Sequence, residues 1–180
     1  MRRTKLGLLT ALTAATMLSV APVAAAAPAA SPATACETVY WGSLAKTSTS
    51  STTSSMTNIR TGRHTCFDRM VLDLNGNPAG YSVKYVSELT GIGSGKEVST
   101  TGGARLEILL KAGASPSYNP GATVKTLNYQ TFRQQVWLGS FEGQTKVGMS
   151  TRARLPMRVF VLSGPDQGSR LVIDVAHYWY

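Results

Sequence analysis

The sequence predicts an all-β fold: a β-sandwich of short, mostly antiparallel strands with at most one short helix. Three observations carry this. Six segments alternate apolar and polar residues with period two, the spacing of side chains along a half-buried strand. Turn-forming clusters stand between them, at Asn75-Gly76-Asn77-Pro78, Gly91 to Gly95, Gly102-Gly103, Asn119-Pro120-Gly121 and Gly164 to Gly168. No segment carries a long apolar stripe at helical spacing with caps. Several short strands with glycine-rich turns read as a sandwich or a barrel.

The strands follow in order. In Asp68 to Leu74, Met70, Leu72 and Leu74 share one face, and Arg69, Val71 and Asp73 the other. Tyr81, Val83 and Tyr85 oppose Ser82 and Lys84. Leu106, Ile108 and Leu110 oppose Arg105, Glu107 and Lys111. Thr145, Val147 and Met149 alternate with Lys146 and Gly148. Met157, Val159 and Val161 alternate with Arg158, Phe160 and Leu162. Leu171, Ile173 and Val175 alternate with Val172, Asp174 and Ala176. Thr126 to Leu138 fits either one short helix or a further strand. Thr47 to Thr57 is almost wholly Ser and Thr, without the apolar period that burial needs, and reads as a solvent-exposed linker open to O-glycosylation.

The first residues read as an export signal. Arg2, Arg3 and Lys5 precede a nearly uncharged run from Leu6 to Val23, then Ala24 to Ala27. The run is too short and too broken by Thr and Ser for a membrane span, which takes about 20 apolar residues. Cleavage after Ala27 fits the small-x-small rule, and Ala33-Thr34-Ala35 offers a later site. Arg2-Arg3 leaves general and twin-arginine export both open. Cys36 lies too far beyond the apolar run, past Pro28 and Pro32, to be a lipid-attachment site. The expected organisation is therefore a signal at 1–27, a flexible Ser/Thr/Pro-rich segment with Cys36 at 28–57, and a sandwich domain at 58–180.

Composition narrows the chemistry. The chain has net charge +9, and removing the three basic residues of the signal leaves +6. A scattered positive charge on an exported chain suits anionic polymers and argues against nucleic acid. Cys36 and Cys66 are the only cysteines. In an oxidising compartment they are expected to pair, closing a loop of about 31 residues and stabilising the fold by about 3.5 kcal/mol. Cys36, His64, Cys66 and His177 have no zinc-like spacing, so no metal is expected; no cofactor motif occurs. Gly91-Ile92-Gly93-Ser94-Gly95-Lys96 lacks phosphate-loop spacing and reads as a hairpin turn.

Several motifs resemble one family. Gly62-Arg63-His64-Thr65-Cys66-Phe67-Asp68-Arg69-Met70-Val71-Leu72-Asp73 and Gly80 to Val86 resemble the start of the AMIN-like domain of secreted actinobacterial proteins. Gly139-Ser140-Phe141-Glu142-Gly143 is similar to that family's Gly-Asp-Phe-Glu-Gly segment. Pro156 to Val159 and Arg170 to His177 resemble its closing strands, so the likeness runs from about Ile59 to His177. Ser140 stands where the family usually has Asp, and Cys66 where Gly is frequent. The resemblance implies a β-sandwich related to the AMIN domain, a non-catalytic module that targets proteins to the cell wall. The expected role is then secreted, non-catalytic binding at the cell envelope, to peptidoglycan, an anionic wall polymer or an envelope protein.

The expected binding residues are Arg63, His64, Arg69, Trp137 and Phe141. Arg63, His64 and Arg69 offer donors to an anion; alternatively, Arg69 pairs with Asp174 or Asp73 across neighbouring strands. Trp137 and Phe141 either shape a groove for sugar rings or plug the core. Tyr178-Trp179-Tyr180 is an aromatic tail that packs on the sandwich edge or offers a partner a sticky end. Two alternatives come from other classes. A secreted hydrolase would draw on His64 or His177 with Asp68 or Asp174, but no Gly-x-Ser-x-Gly elbow is present. A protease inhibitor would need a rigid exposed loop, at Gly91 to Gly103 or Ala112 to Lys125.

Overall fold

The computed structural model describes residue 36, residues 40–164 and residues 166–179. The expected signal and its cleavage sites lie outside these residues. Ten strands run through the described chain: β1 (Lys46–Ser48), β2 (Met56–Arg63), β3 (Phe67–Leu74), β4 (Tyr81–Val86), β5 (Ala104–Leu110), β6 (Val124–Thr126), β7 (Phe132–Phe141), β8 (Gln144–Thr151), β9 (Met157–Ser163) and β10 (Ser169–Ala176). Among the described residues there is no helix. All strand pairings are antiparallel, in a six-stranded sheet ordered β1-β4-β5-β8-β7-β6 and a four-stranded sheet ordered β2-β3-β10-β9.

The alternating segments are β3, β4, β5, β8, β9 and β10, and their registers explain the core. Met70 lies opposite Ile173, and Leu72 opposite Leu171, in the smaller sheet. Leu106 lies opposite Met149, and Ile108 opposite Val147, in the larger one. These eight side chains are almost fully removed from water and belong to one shared core, which joins the two sheets face to face. Thr126 to Leu138 takes the strand option, as the end of β6 and most of β7.

The reading of residues 47–57 as an exposed linker is corrected. Lys46, Thr47 and Ser48 pair with Val83, Ser82 and Tyr81. The Gly80 amide donates to the Ser50 carbonyl at 2.7 Å, and the Ser55 amide to Asn75 Oδ1 at 2.8 Å. Met56 is wholly buried. Composition judges side chains, whereas this segment docks mainly through its backbone, which any residue supplies, together with the buried side chain of Met56.

The two candidate inhibitory loops pack against the sandwich. After β4 the chain crosses the outer face of the larger sheet, where Leu89, Val136 and Leu138 make a second small core. Gly148 is required beneath it: a Cβ there would stand 2.5 Å from the Leu89 side chain. The Ile92 amide donates to the Leu138 carbonyl, and Gly91 and Gly95 close the expected tight turn. In the other loop, the Ser115 amide bonds the Met56 carbonyl and Tyr118 packs on Trp137.

On the outer face of the smaller sheet, Asp174 sits between two arginines. Arg69 Nε and Nη2 donate to its two oxygens at 2.6 and 2.9 Å, and Arg158 Nε donates at 2.8 Å. This selects the cross-strand pairing for Arg69, with Asp174 and not Asp73, which is held by Arg60. The hydrogen bonds to Asp174 hold the Arg69 guanidinium pKa above its ordinary value. Trp41, Phe67 and Phe160 flank the two guanidinium groups at 4.4 to 5.6 Å. Asp174 is fully buried, whereas the side chains of Arg69 and Arg158 remain 26% and 42% exposed. Asp174→Asn is therefore expected to cost about 2 kcal/mol, below the usual cost of breaking a buried pair because water can solvate both cations. Urea unfolding checks this; a change under about 0.5 kcal/mol contradicts it.

Candidate binding surface at the arginine-rich pole

The acids near the middle of the sheets already have partners. Asp73 holds Arg60, Asp174 holds Arg69 and Arg158, and Glu107 lies 3.6 Å from Lys84 and 3.3 Å from Lys146. Five arginines without an acidic partner among the described residues gather at one end of the sandwich. Antiparallel pairing brings the ends of β2, β4, β8 and β10 together with the starts of β3, β5, β7 and β9. Arg63, Arg105, Arg133, Arg152 and Arg154 all lie there, and none has a carboxylate within 4.0 Å among the described residues. Their bonds go to neutral oxygens, which orient a guanidinium without cancelling its charge.

The connection from β8 to β9 is the centre of this surface. Arg152 donates to the His177 carbonyl and lies 5.4 Å from the Tyr178 ring. Arg154 donates to Ser43 Oγ and to the Ser43 carbonyl, each at 3.1 Å, and lies 5.3 Å from the Tyr85 ring. Tyr85 OH donates to the Leu155 carbonyl at 2.9 Å and accepts from the Leu155 amide at 3.1 Å. Burial raises the pKa of this phenol above its ordinary value. Gly103 is needed for the close approach of this connection, since a Cβ there would stand 2.3 Å from the Arg152 carbonyl oxygen.

Two partly exposed aromatic side chains stand beside the arginines: Trp179 is 58% exposed and Tyr178 50%. The Trp179 indole nitrogen donates to the Arg154 carbonyl at 2.9 Å, and Tyr178 OH accepts from Gln130 Nε2 at 2.8 Å. Each ring is therefore anchored by its polar edge. Of the aromatic tail, Tyr178 and Trp179 pack in this way; Tyr180 lies outside the described residues. Between Tyr85, Val86 and Ser87 on one side and Gly103, Ala104, Arg105 and Arg154 on the other lies a cavity of about 390 Å³. A larger one, about 920 Å³, opens at the other pole, where Arg60 is paired with Asp73 and the lining also includes Arg170 and Asp166.

The residues expected to bind together are divided by the fold. Arg63 and His64 lie at the arginine-rich pole, and His64 stacks on Phe67 with ring centroids 4.5 Å apart. Arg69 faces outward from β3 and is engaged by Asp174. Trp137 points the other way, into the sandwich, half-buried against the core and 5.2 Å from the Tyr118 ring. Phe141 is 52% exposed, at the turn between β7 and β8 on the opposite pole, against Gly93. Residues four apart on a regular strand share a face, but a bulge between Trp137 and Ser140, with Gly139 at φ 104°, reverses the alternation. Ser140, where a family Asp was expected, ties this hairpin together: its Oγ accepts from the Ala114 amide and donates to the Gln144 carbonyl.

His177 and Asp68, raised with the hydrolase alternative, do meet. His177 Nε2 lies 3.2 Å from Asp68 Oδ1, and the two residues are 2% and 0% exposed. Asp68 Oδ2 accepts from the Thr131 and Phe132 amides at 2.6 and 2.9 Å. Among the described residues no hydroxyl or thiol hydrogen-bonds either imidazole, and the pair ties β3 to the residue after β10.

Sequence reasoning missed Arg105, Arg152 and Arg154. A signal was present: Arg152, Arg154 and Arg158 fall within seven residues that contain no acid and lead through Pro156 into a strand. Arg105 carried no such signal; it reads as the outward position of an ordinary strand.

Taken together, the architecture is an all-β sandwich with a cluster of arginines and the exposed Trp179 ring at one end. The profile of the AMIN-like domain family matches residues 54–177, and the chain belongs to that family. No curated protein and no solved structure shows detectable similarity to it. The disulfide expected between Cys36 and Cys66 is formed, with Cα atoms 5.5 Å apart. Among the described residues no helix is long and apolar enough to cross a membrane.

Proposed function

We propose that this protein is an exported, non-catalytic binding module of the bacterial cell envelope, and that its arginine-rich pole engages peptidoglycan or an anionic wall polymer. Membership of the AMIN-like family supports the envelope role. The disulfide supports an oxidising compartment. The observation that carries the reading is the gathering of arginines without carboxylate partners among the described residues beside the exposed Trp179 ring at one pole. Anionic glycopolymers present both complements: charge for the guanidinium groups and sugar faces for the ring.

The test is co-sedimentation of the protein from residue 28 onward with purified sacculi that retain their wall polymers. Retention at low ionic strength is expected, falling roughly tenfold by 0.5 M salt as screening shortens the reach of the charges. An absence of retention at low salt overturns the reading.

A further inference from the structure

We infer that the cavity of about 390 Å³ between β4, β5 and the β8–β9 connection is a subsite for one phosphate group, free or within a phosphodiester. The inference deepens the proposed envelope function and rests on it for the biological source of the phosphate.

The lining includes Arg105, Arg154 and Ser87 and, among the described residues, no acid. Glu88 follows Ser87 in the chain but is exposed and not part of the lining. Among the described residues neither arginine has a carboxylate within ion-pair distance, unlike Arg60, Arg69 and Arg158. Two cationic residues lining one small space without an acid favour an oxyanion over a neutral sugar hydroxyl.

The site is also built before a ligand arrives. Arg154 is held on two sides, by both oxygens of Ser43 and by the Tyr85 ring. Tyr85 is itself fixed by its two bonds to Leu155. Arg105 projects from a regular strand, opposite Val86 on one neighbour and Ser150 on the other, and makes only one long bond, 3.5 Å from Nη2 to the Thr100 carbonyl. Its donors are therefore available, while its backbone is set by two strand pairings. Ordering Arg154 costs little on binding, because the fold has already ordered it. Trp179, bonded through its indole nitrogen to the Arg154 carbonyl, places an exposed aromatic ring beside the same connection, where a sugar attached to the phosphate can rest.

The experiment is an NMR titration of the protein from residue 28 onward with inorganic phosphate, and with acetate at matched ionic strength. Saturable shifts are expected in the amides of residues 85–87 and 103–105 and in the Nε–H signals of Arg105 and Arg154, with phosphate only. Arg105→Ala should weaken phosphate binding by about tenfold or more, and Arg105→Lys should recover part of it. Arg105 makes one long bond, so the melting temperature of both variants should stay near that of the wild type; this separates loss of binding from loss of fold. No shifts with phosphate, shifts unchanged by Arg105→Ala, or equal binding of acetate each overturns the inference. If phosphate leaves the signals unmoved while sacculi still retain the protein, the subsite falls and the envelope module stands. If phosphate binds and sacculi do not retain the protein, the module reading falls and the subsite stands.

Discussion

Asp68→Ala lowers the stability of the folded protein by about 3–5 kcal/mol, the largest effect expected of any substitution considered for this chain. The carboxyl group is wholly buried and receives three donors, the amides of Thr131 and Phe132 and the ring of His177. Those donors come from two places that share no strand with Asp68: the entry to β7 in the larger sheet, and the residue after β10. Removing the acceptor leaves three buried N–H groups without partners, each with its own desolvation cost. Asp68→Asn is expected to cost less: its carbonyl oxygen can still accept from both amides, and its NH₂ group can donate to His177 Nε2 once the imidazole takes the other tautomer. With a urea m value near 2 kcal/mol/M, the unfolding midpoint of Asp68→Ala should fall by roughly 2 M. A loss below about 1 kcal/mol would show that the two sheets do not depend on this connection.

Removing the disulfide comes second. The double variant Cys36→Ser, Cys66→Ser, or reduction of the wild type, is expected to cost about 3.5 kcal/mol from the restored freedom of the unfolded chain. For a domain of this size that corresponds to a fall of roughly 10 °C in the melting temperature. The structure also specifies where the change is felt. Cys36 is joined to the turn between β2 and β3, close in sequence to Trp41, which lies 4.4 Å from the Arg158 guanidinium and 5.9 Å from the Phe67 ring. The same stretch continues through Gly42, whose carbonyl accepts from the Met157 amide, to Ser43 under Arg154. Tryptophan fluorescence should therefore change on reduction below the melting temperature. An unchanged melting temperature in reducing buffer would mean that the bonds of residues 41–43 hold this segment without the covalent link.

The strands were legible because their signal is local. A half-buried strand writes its inner face into every second residue, as in Met70, Leu72 and Leu74, and the two central strands of the smaller sheet, β3 and β10, appear nearly intact in the sequence. The edges were not legible. Lys46 to Ser48 is an edge strand of three polar or half-polar residues whose attachment is entirely backbone, so no periodicity records it. The candidate surface was half legible. Arg63, His64, Tyr178 and Trp179 attracted attention as dense polar or aromatic clusters and do lie at the arginine-rich pole. Phe141 was grouped with Trp137 because aromatic faces suit sugar rings; a single extra residue at Gly139 puts them on opposite faces.

From the chain of residues alone came the alternation that commits it to two packed sheets, the pairing of its only two cysteines, and an excess of basic over acidic side chains. Each is a property of neighbours or of totals. Which cations remain free is a different kind of quantity, because it depends on where every carboxylate comes to rest. Asp174 reaches Arg69 and Arg158, and Glu107 reaches Lys84 and Lys146, only once antiparallel strands lie side by side. The arginines left over at the ends of those strands, from distant parts of the chain, become one surface for the same reason: long-range pairing brings strand ends together, and no local pattern records that meeting.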